Sequence, residues 1–200
     1  MNDEQMFGGG EDNKVETDKT DNIAIIIPVK EESKRLPGKW KLELPNQNHL
    51  LDEAITKALA VTGTGNVYIT TSSKDIIDYL RDTCPMVEVI NRPEELDGEI
   101  PLEVVIQHAI AYLPAEIERV ILMQITNPFT TPADLKQATK SNCMGVTHNG
   151  SFYSQTKKDW LESGLRNKQG RMGYIFMEKS VDIDTPDDYN KAVNLLNNEK

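Results

Sequence analysis

From residue 22 onward the chain alternates between short apolar blocks and longer amphipathic stretches. "IAIIIPV" and "RVILMQI" are apolar at nearly every position, the pattern of strands covered on both faces of a sheet. Strands are predicted over 23–29, 67–70, 87–91, 120–124, 145–147, 151–154 and 174–177, and helices over 50–61, 74–83, 102–112, 132–141, 157–161 and 186–197. Ser73, Thr131 and Thr185 stand at N-cap positions, the last two followed by proline at the first helical position. Strands alternating with helices predict a mostly parallel sheet between two helix layers, a three-layer α/β/α sandwich with right-handed crossovers. Ligands in such sheets bind beyond the carboxyl ends of the strands. The loop after the first strand and the loop after Gln124 are therefore placed at the ligand edge.

Composition narrows the picture further. Residues 1–21 hold seven acids, two lysines and a triple glycine, too little apolar surface to offset the entropy of ordering, so a mobile acidic tail is expected there. Residues 22–200 are long enough for a single α/β domain. A formal net charge of −10 argues against nucleic acid or an anionic membrane as the main partner, since both ask for a broad basic face. No apolar run approaches the roughly 18–20 residues of a membrane span, and no signal-peptide core opens the chain, so a cytoplasmic protein is expected. Cys84 and Cys143 match no metal or redox spacing and read as reduced thiols. His49, His108 and His148 form no ligand pattern, and His108 lies in an apolar helical stretch where packing or hydrogen bonding is its expected role.

Against this acidic background the segment "IIIPVKEESKRLPGKW" stands out. Lys30, Lys34, Arg35, Lys39 and Lys41 crowd the loop after the first strand, and phosphate binding asks for such charge together with backbone N–H groups. "GKW" is not a P-loop ending: no glycine lies five residues upstream and no Ser or Thr follows the lysine. Alone, the segment also reads as a solvated surface loop. A second feature is "SVDIDTPDDY", in which Asp182 and Asp184 alternate with Val181 and Ile183. On an extended segment both carboxylates share one face. Two like charges so close are costly without a cation, and Mg²⁺ fits two carboxylates plus phosphate oxygens and water. The plainer alternative is a polar-out edge strand running into a capped helix. Taken together, cationic loop and D-x-D pair suggest a nucleoside triphosphate with Mg²⁺, hence phosphoryl or nucleotidyl transfer.

These residues resemble a known family, the CMP-sugar synthetases: cytidylyltransferases that activate sialic acid and 3-deoxy-octulosonate (KDO). "IPVKEESKRLPGKW" is similar to their opening motif I-P-A-R-x-x-S-K-x-[IL]-P-x-K-N. "YITTSSKDI", "NRPEEL", "VIQHAI", "LMQITNPFT", "NGSFY" and "VDIDTPDDY" resemble their later motifs in the same order. The resemblance implies a nucleotide-diphospho-sugar transferase (Rossmann-like) fold. It also implies attack by an acceptor oxygen on the α-phosphate of CTP, with pyrophosphate leaving and Mg²⁺ assisting. Carried over by position, Lys30, Ser33, Lys34, Arg35 and Lys39 form the triphosphate loop, and Thr71 and Arg92 extend the nucleotide-binding set. Lys39, Lys30 and Gln124 are the implied catalytic residues, with Gln124 on the acceptor side, and Asp182 and Asp184 are the implied metal ligands.

The departures from the family pattern carry information too. Lys30 replaces an arginine and loses its bidentate fork. Trp40 replaces asparagine, Ser72 aspartate, and Asn127 and Thr130 replace a serine and an arginine. Glu31 and Glu32 bring carboxylates beside the triphosphate loop, where they turn outward, pair with Lys34 or Arg35, or weaken the site. Between "MGVTH" and "NGSFY" the family inserts a dimerising arm that helps hold the acid sugar; here the motifs nearly touch at residues 147–150. The expected acceptor is therefore a small sugar or sugar phosphate, and the expected assembly a monomer or an atypical dimer. The alternative reading is a catalytically inactive nucleotide-binding homologue or interaction protein, and a glycosyltransferase of similar fold is a further one.

Overall fold

The structure is a computed structural model that describes residues 22–146, 150–165 and 173–198. The acidic segment 1–21 and most of the short link at 147–150 lie outside the described residues. Thirteen elements follow one another: β1 (Ile23–Pro28), α1 (Leu50–Thr62), β2 (Val67–Thr71), α2 (Lys74–Thr83), β3 (Glu88–Asn91), α3 (Leu102–Ile110), β4 (Arg119–Met123), α4 (Pro132–Ala138), β5 (Cys143–Val146), β6 (Phe152–Thr156), α5 (Lys157–Ser163), β7 (Gly173–Phe176) and α6 (Pro186–Asn197).

The strands form one sheet in the order β3-β2-β1-β4-β6-β5-β7. Only β6 runs antiparallel to its neighbours β4 and β5; the other pairings are parallel. The β4–α4–β5 passage therefore carries the chain past a gap that β6 then fills from the opposite direction. Alternation along β1 divides the core. Ile25 and Ile27 pack with Leu51, Ile55, Ile76 and Leu135 from α1, α2 and α4, while Ala24 and Ile26 pack with Ile106, Ile110 and Trp160 from α3 and α5. Each face of the sheet is thus covered by helices, as the uninterrupted apolar pattern of β1 requires. The expected three-layer α/β/α sandwich on a mixed, mostly parallel sheet is the observed architecture.

The three expected N-caps form as read: Ser73, Thr131 and Thr185 each accept a backbone N–H from the third residue of their helix, and Thr131 and Thr185 complete capping boxes with Asp134 and Asp188. Two helices stop short of the expected ends. α3 gives way after Ile110 because Ala111, Tyr112 and Leu113 donate to carbonyls three residues back, a tightened turn that precedes Pro114. α4 ends at Ala138, where the Thr139 hydroxyl donates to the Lys136 carbonyl at 2.7 Å and competes with the helical ladder. The strand expected at 145–147 begins earlier, at Cys143, and Thr147 lies outside the described residues.

A third, smaller apolar cluster does the most for the site. Leu36 and Leu44 from the loop after β1 pack with Leu50 of α1, Val181, Ile183 and Ala192 of α6. It ties the first loop of the fold to its last segment. Among the described residues no helix is long and apolar enough to cross a membrane.

Candidate active site

The loop after β1 leaves the carboxyl edge of the sheet with the Val29 N–H bonded to the Thr70 carbonyl of β2. Pro37 and Gly38 turn it sharply. Gly38 sits at φ 65°, ψ 22°, a left-handed conformation that glycine adopts without steric cost. It opens a single 3-10 turn, Lys39–Lys41, that buries Lys39 and Trp40. A buried ammonium needs a counter-charge, and Asp184 supplies it. Lys39 Nζ lies 2.6 Å from Asp184 Oδ1, and Arg35 Nη2 lies 2.6 Å from Oδ2. The cationic loop and the late D-x-D segment are thus in direct contact across 145 and 149 positions of sequence.

Asp184 is held from behind. Val181 and Ile183 are buried and the Ile183 N–H donates to the Thr126 carbonyl at 2.8 Å. The Asp184 N–H reaches Asp188 Oδ2 at 3.2 Å, part of the same carboxylate that closes the α6 capping box. The extended segment 181–184 is not a sheet strand, which departs from the edge-strand alternative, but its alternation holds: apolar positions are buried and Asp182 and Asp184 are half-buried. Asp182 lies toward β6. Burial, and secondarily the Asp182 charge, raise the Tyr153 phenol above its ordinary value. Beside Tyr153 sits Gly150, whose carbonyl accepts the Gln124 side-chain amide at 2.8 Å. Gln124, Gly150 and Tyr153 thus adjoin one another by the ends of β4 and β6, with the Asp182 charge felt at Tyr153.

The remaining residues expected at the site occupy varied positions. Lys30 donates to the Gly98 carbonyl. Lys34 is largely exposed and pairs with the equally exposed Glu99 at 2.7 Å. Ser33 is half-buried in the same loop. Thr71 accepts the Ser73 N–H through its hydroxyl at 3.2 Å, which fixes the start of α2. Arg92 is almost completely buried; it donates to the Val29 carbonyl at 2.9 Å and lies 2.7 Å from Asp97. Arg92 thereby braces the base of the cationic loop. Glu31 turns away from the cations and accepts the Ser73 hydroxyl at 2.6 Å. Ser72, in place of the family's aspartate, donates to Asp97, so a carboxylate returns to that spot from another segment. Asn127 is engaged with Ser180 at 3.3 Å and with the Phe129 N–H at 3.1 Å.

Sequence reasoning did not assign Asp97, Glu99 or Tyr153. Tyr153 had a signal in "NGSFY". Asp97 and Glu99 had none beyond the acidity of "PEELDGE", because only folding brings 94–99 over the loop after β1.

The geometry brings cationic side chains and a carboxylate together in the loops around β1 and α6. Residues 24–162 match the cytidylyltransferase family, well over half of the chain. The chain belongs to the cytidylyltransferase family. No curated protein matches it in sequence. Among solved structures it is similar to a CMP:2-keto-3-deoxy-manno-octonic acid synthetase complexed with CTP, with a TM-score of 0.68, 14% identity, and coverage of 90% of this chain and 100% of that one. A nucleotidyl transferase from Methanothermobacter thermautotroptrophicus gives a TM-score of 0.70 at 12% identity, covering 90% and 100%. A Mycobacterium tuberculosis protein solved in complex with manganese gives 0.62 at 16% identity, covering 86% and 98%. The resemblance drawn from the motifs stands, and this cytidylyltransferase is a nucleotidyltransferase of the CTP-using class.

For a divalent ion, the donor set is the test. Among the described residues no three His, Cys, Asp or Glu side chains gather as a metal cage. Asp182 and Asp184 offer a carboxylate pair at most, which suits an ion that completes its shell with phosphate oxygens and water. The pair fits Mg²⁺ or Mn²⁺ better than a structural metal.

Proposed function

We propose that the protein transfers CMP from CTP to a hydroxyl or phosphate oxygen of a small sugar or sugar phosphate, releasing pyrophosphate. The observation that carries the reading is the meeting of Lys39 and Arg35 with Asp184. That meeting supports a site in which cations suited to a triphosphate stand beside a carboxylate suited to a metal ion. In the reaction the acceptor oxygen forms a bond to the α-phosphorus while the bond to the pyrophosphate oxygen breaks. Lys39 and Arg35, released from Asp184, neutralise the charge that accumulates on the departing β- and γ-phosphates. Lys39 is the stronger contributor because its surroundings are drier. Lys30 and Ser33 lie on the same loop and complete the phosphate contacts. Gln124 orients the acceptor from β4's end of the site, with Tyr153 beside it. Mg²⁺ held by Asp182 and Asp184 would polarise the α-phosphate and orient the triphosphate; the manganese in a structural neighbour supports a divalent ion here.

The short passage from β5, ending at Val146, to β6, starting at Phe152, supports a small acceptor and an assembly without the family's dimerising arm. Neither Asn127, already engaged with Ser180, nor Thr130 offers the cation that a sugar carboxylate would seek.

The test is pyrophosphate release with each nucleoside triphosphate, Mg²⁺ and a panel of sugars and sugar phosphates. CTP with one small acceptor is the expected productive pair. Productive use of sialic acid or KDO would overturn the small-acceptor reading. The engagement of Lys34 by Glu99, and of Lys39 and Arg35 by Asp184, favours one second reading, a homologue that binds nucleotide without turnover. CTP binding with no pyrophosphate from any pair would establish it.

A further inference from the structure

Trp40 stands where the family resemblance has an asparagine, directly after Lys39, and the site as described gives it no task. Its indole is only 6% exposed. It meets the Tyr79 ring of α2 edge-on, with centroids 5.1 Å apart and planes at 62°. The Tyr79 hydroxyl bonds to both Asp52 oxygens at 2.8 and 2.7 Å, and lies 3.1 Å from His49 Nδ1. Asp52 sits in the first turn of α1 and His49 is its N-cap residue. The Leu50 N–H in turn bonds to the Leu42 carbonyl at 3.0 Å, just past the 3-10 turn. The turn bearing Lys39 is thus clipped between two helices through one aromatic contact and one three-residue polar cluster.

We infer that Trp40, anchored by Tyr79, Asp52 and His49, is a positioning residue that fixes the Lys39 ammonium for the nucleotide's phosphates. Physically, a lysine has four rotatable side-chain bonds and loses much freedom when fixed. Holding its backbone in a tight turn removes the separate backbone share of the ordering cost and leaves only those side-chain bonds to be fixed when the nucleotide arrives, which tightens binding without adding a contact. The asparagine of the family pattern could offer a hydrogen bond but not this ring-to-ring anchor. The inference rests on the CTP reading above.

The test is a double-mutant cycle on CTP binding, measured by calorimetry with Mg²⁺ on the full chain, with thermal midpoints recorded alongside. Trp40→Ala is expected to weaken CTP binding about tenfold, and Trp40→Phe, which keeps a ring against Tyr79, to restore most of it. In a Lys39→Ala background Trp40→Ala should cost at most about twofold, because the group it positions is gone. Tyr79→Phe keeps both rings and removes only the hydroxyl anchor; it serves if Trp40→Ala fails to fold. Its expected loss is about threefold, again vanishing in the Lys39→Ala background. Losses that add in full across the cycle would show that Trp40 acts on general stability and would overturn the inference while leaving the CTP reading intact. Failure of the unaltered protein to bind CTP would overturn both.

Discussion

The contact between Asp184 and its two cations gives one substitution opposite effects under two conditions. In Asp184→Asn the carboxylate charge is removed while the side chain keeps its size. Without metal, the native carboxylate competes with CTP twice: it holds Lys39 and Arg35 at 2.6 Å each, and it repels the incoming phosphates. Repulsion between unit charges about 5 Å apart is worth roughly 1–3 kcal/mol for an effective dielectric between about 80 and 20. Removing it should tighten CTP binding in EDTA by about 5- to 150-fold. With Mg²⁺ present the sign reverses. The variant lacks the proposed metal ligand, and turnover should fall by about a hundredfold or more. The assays are calorimetric CTP titration in EDTA and pyrophosphate release in Mg²⁺, on the same preparations. Unchanged CTP affinity in EDTA together with full Mg²⁺-dependent turnover would refute the assignment of Asp184 as the pivot between loop and metal.

Three further outcomes follow from local geometry. Gly150 has φ 70° and an added Cβ would collide with the Tyr153 hydroxyl, so Gly150→Ala should lower stability by about 2–3 kcal/mol and disturb the carbonyl that holds Gln124, seen as a lower unfolding midpoint and a raised KM for the acceptor. Thr185→Ala removes half of the α6 capping box beside Asp184 and should cost about 1 kcal/mol in chemical denaturation, with a larger proportional loss in CTP turnover than in stability. Asp159 accepts Asn142 at 2.6 Å and Thr156 at 2.7 Å, and these bonds, Thr156 first, hold its carboxyl below the ordinary 3.8. Such a depressed group contributes stability that is complete above its unfolded pKa and is lost as pH falls through the folded value. Asp159→Asn should therefore flatten the stability profile below pH 3.8 and leave its slope above about pH 5 unchanged.

Much of the fold was legible because local signals agreed with the global one. The unbroken apolar run of β1 announced a central strand, and Thr131-Pro132 and Thr185-Pro186 marked helix starts that the structure places at the same residues. Helix ends were less legible, since the tight bonds after Ile110 and the Thr139 back-bond to Lys136 depend on geometry that apolar spacing does not encode. The antiparallel sense of β6 was not legible either: "FYSQT" has the same alternation whichever way it runs. At the site, charge and spacing singled out Lys39, Arg35 and Asp184, and folding brings these three together. Arg92 reads in sequence like Lys34, yet one is buried as a brace and the other solvated. That difference is tertiary, set by whether the 92–99 segment closes over the side chain.

The apolar cluster of Leu36, Leu44, Val181 and Ile183 has a consequence for how the molecule is made. Synthesis delivers the lysine-rich loop first and its answering aspartate more than a hundred positions later, so a nascent chain carries that loop with neither its oily anchor nor its counter-ion. On the proposed reading, the carboxylate that would serve the metal reaches the loop only when the last helix docks.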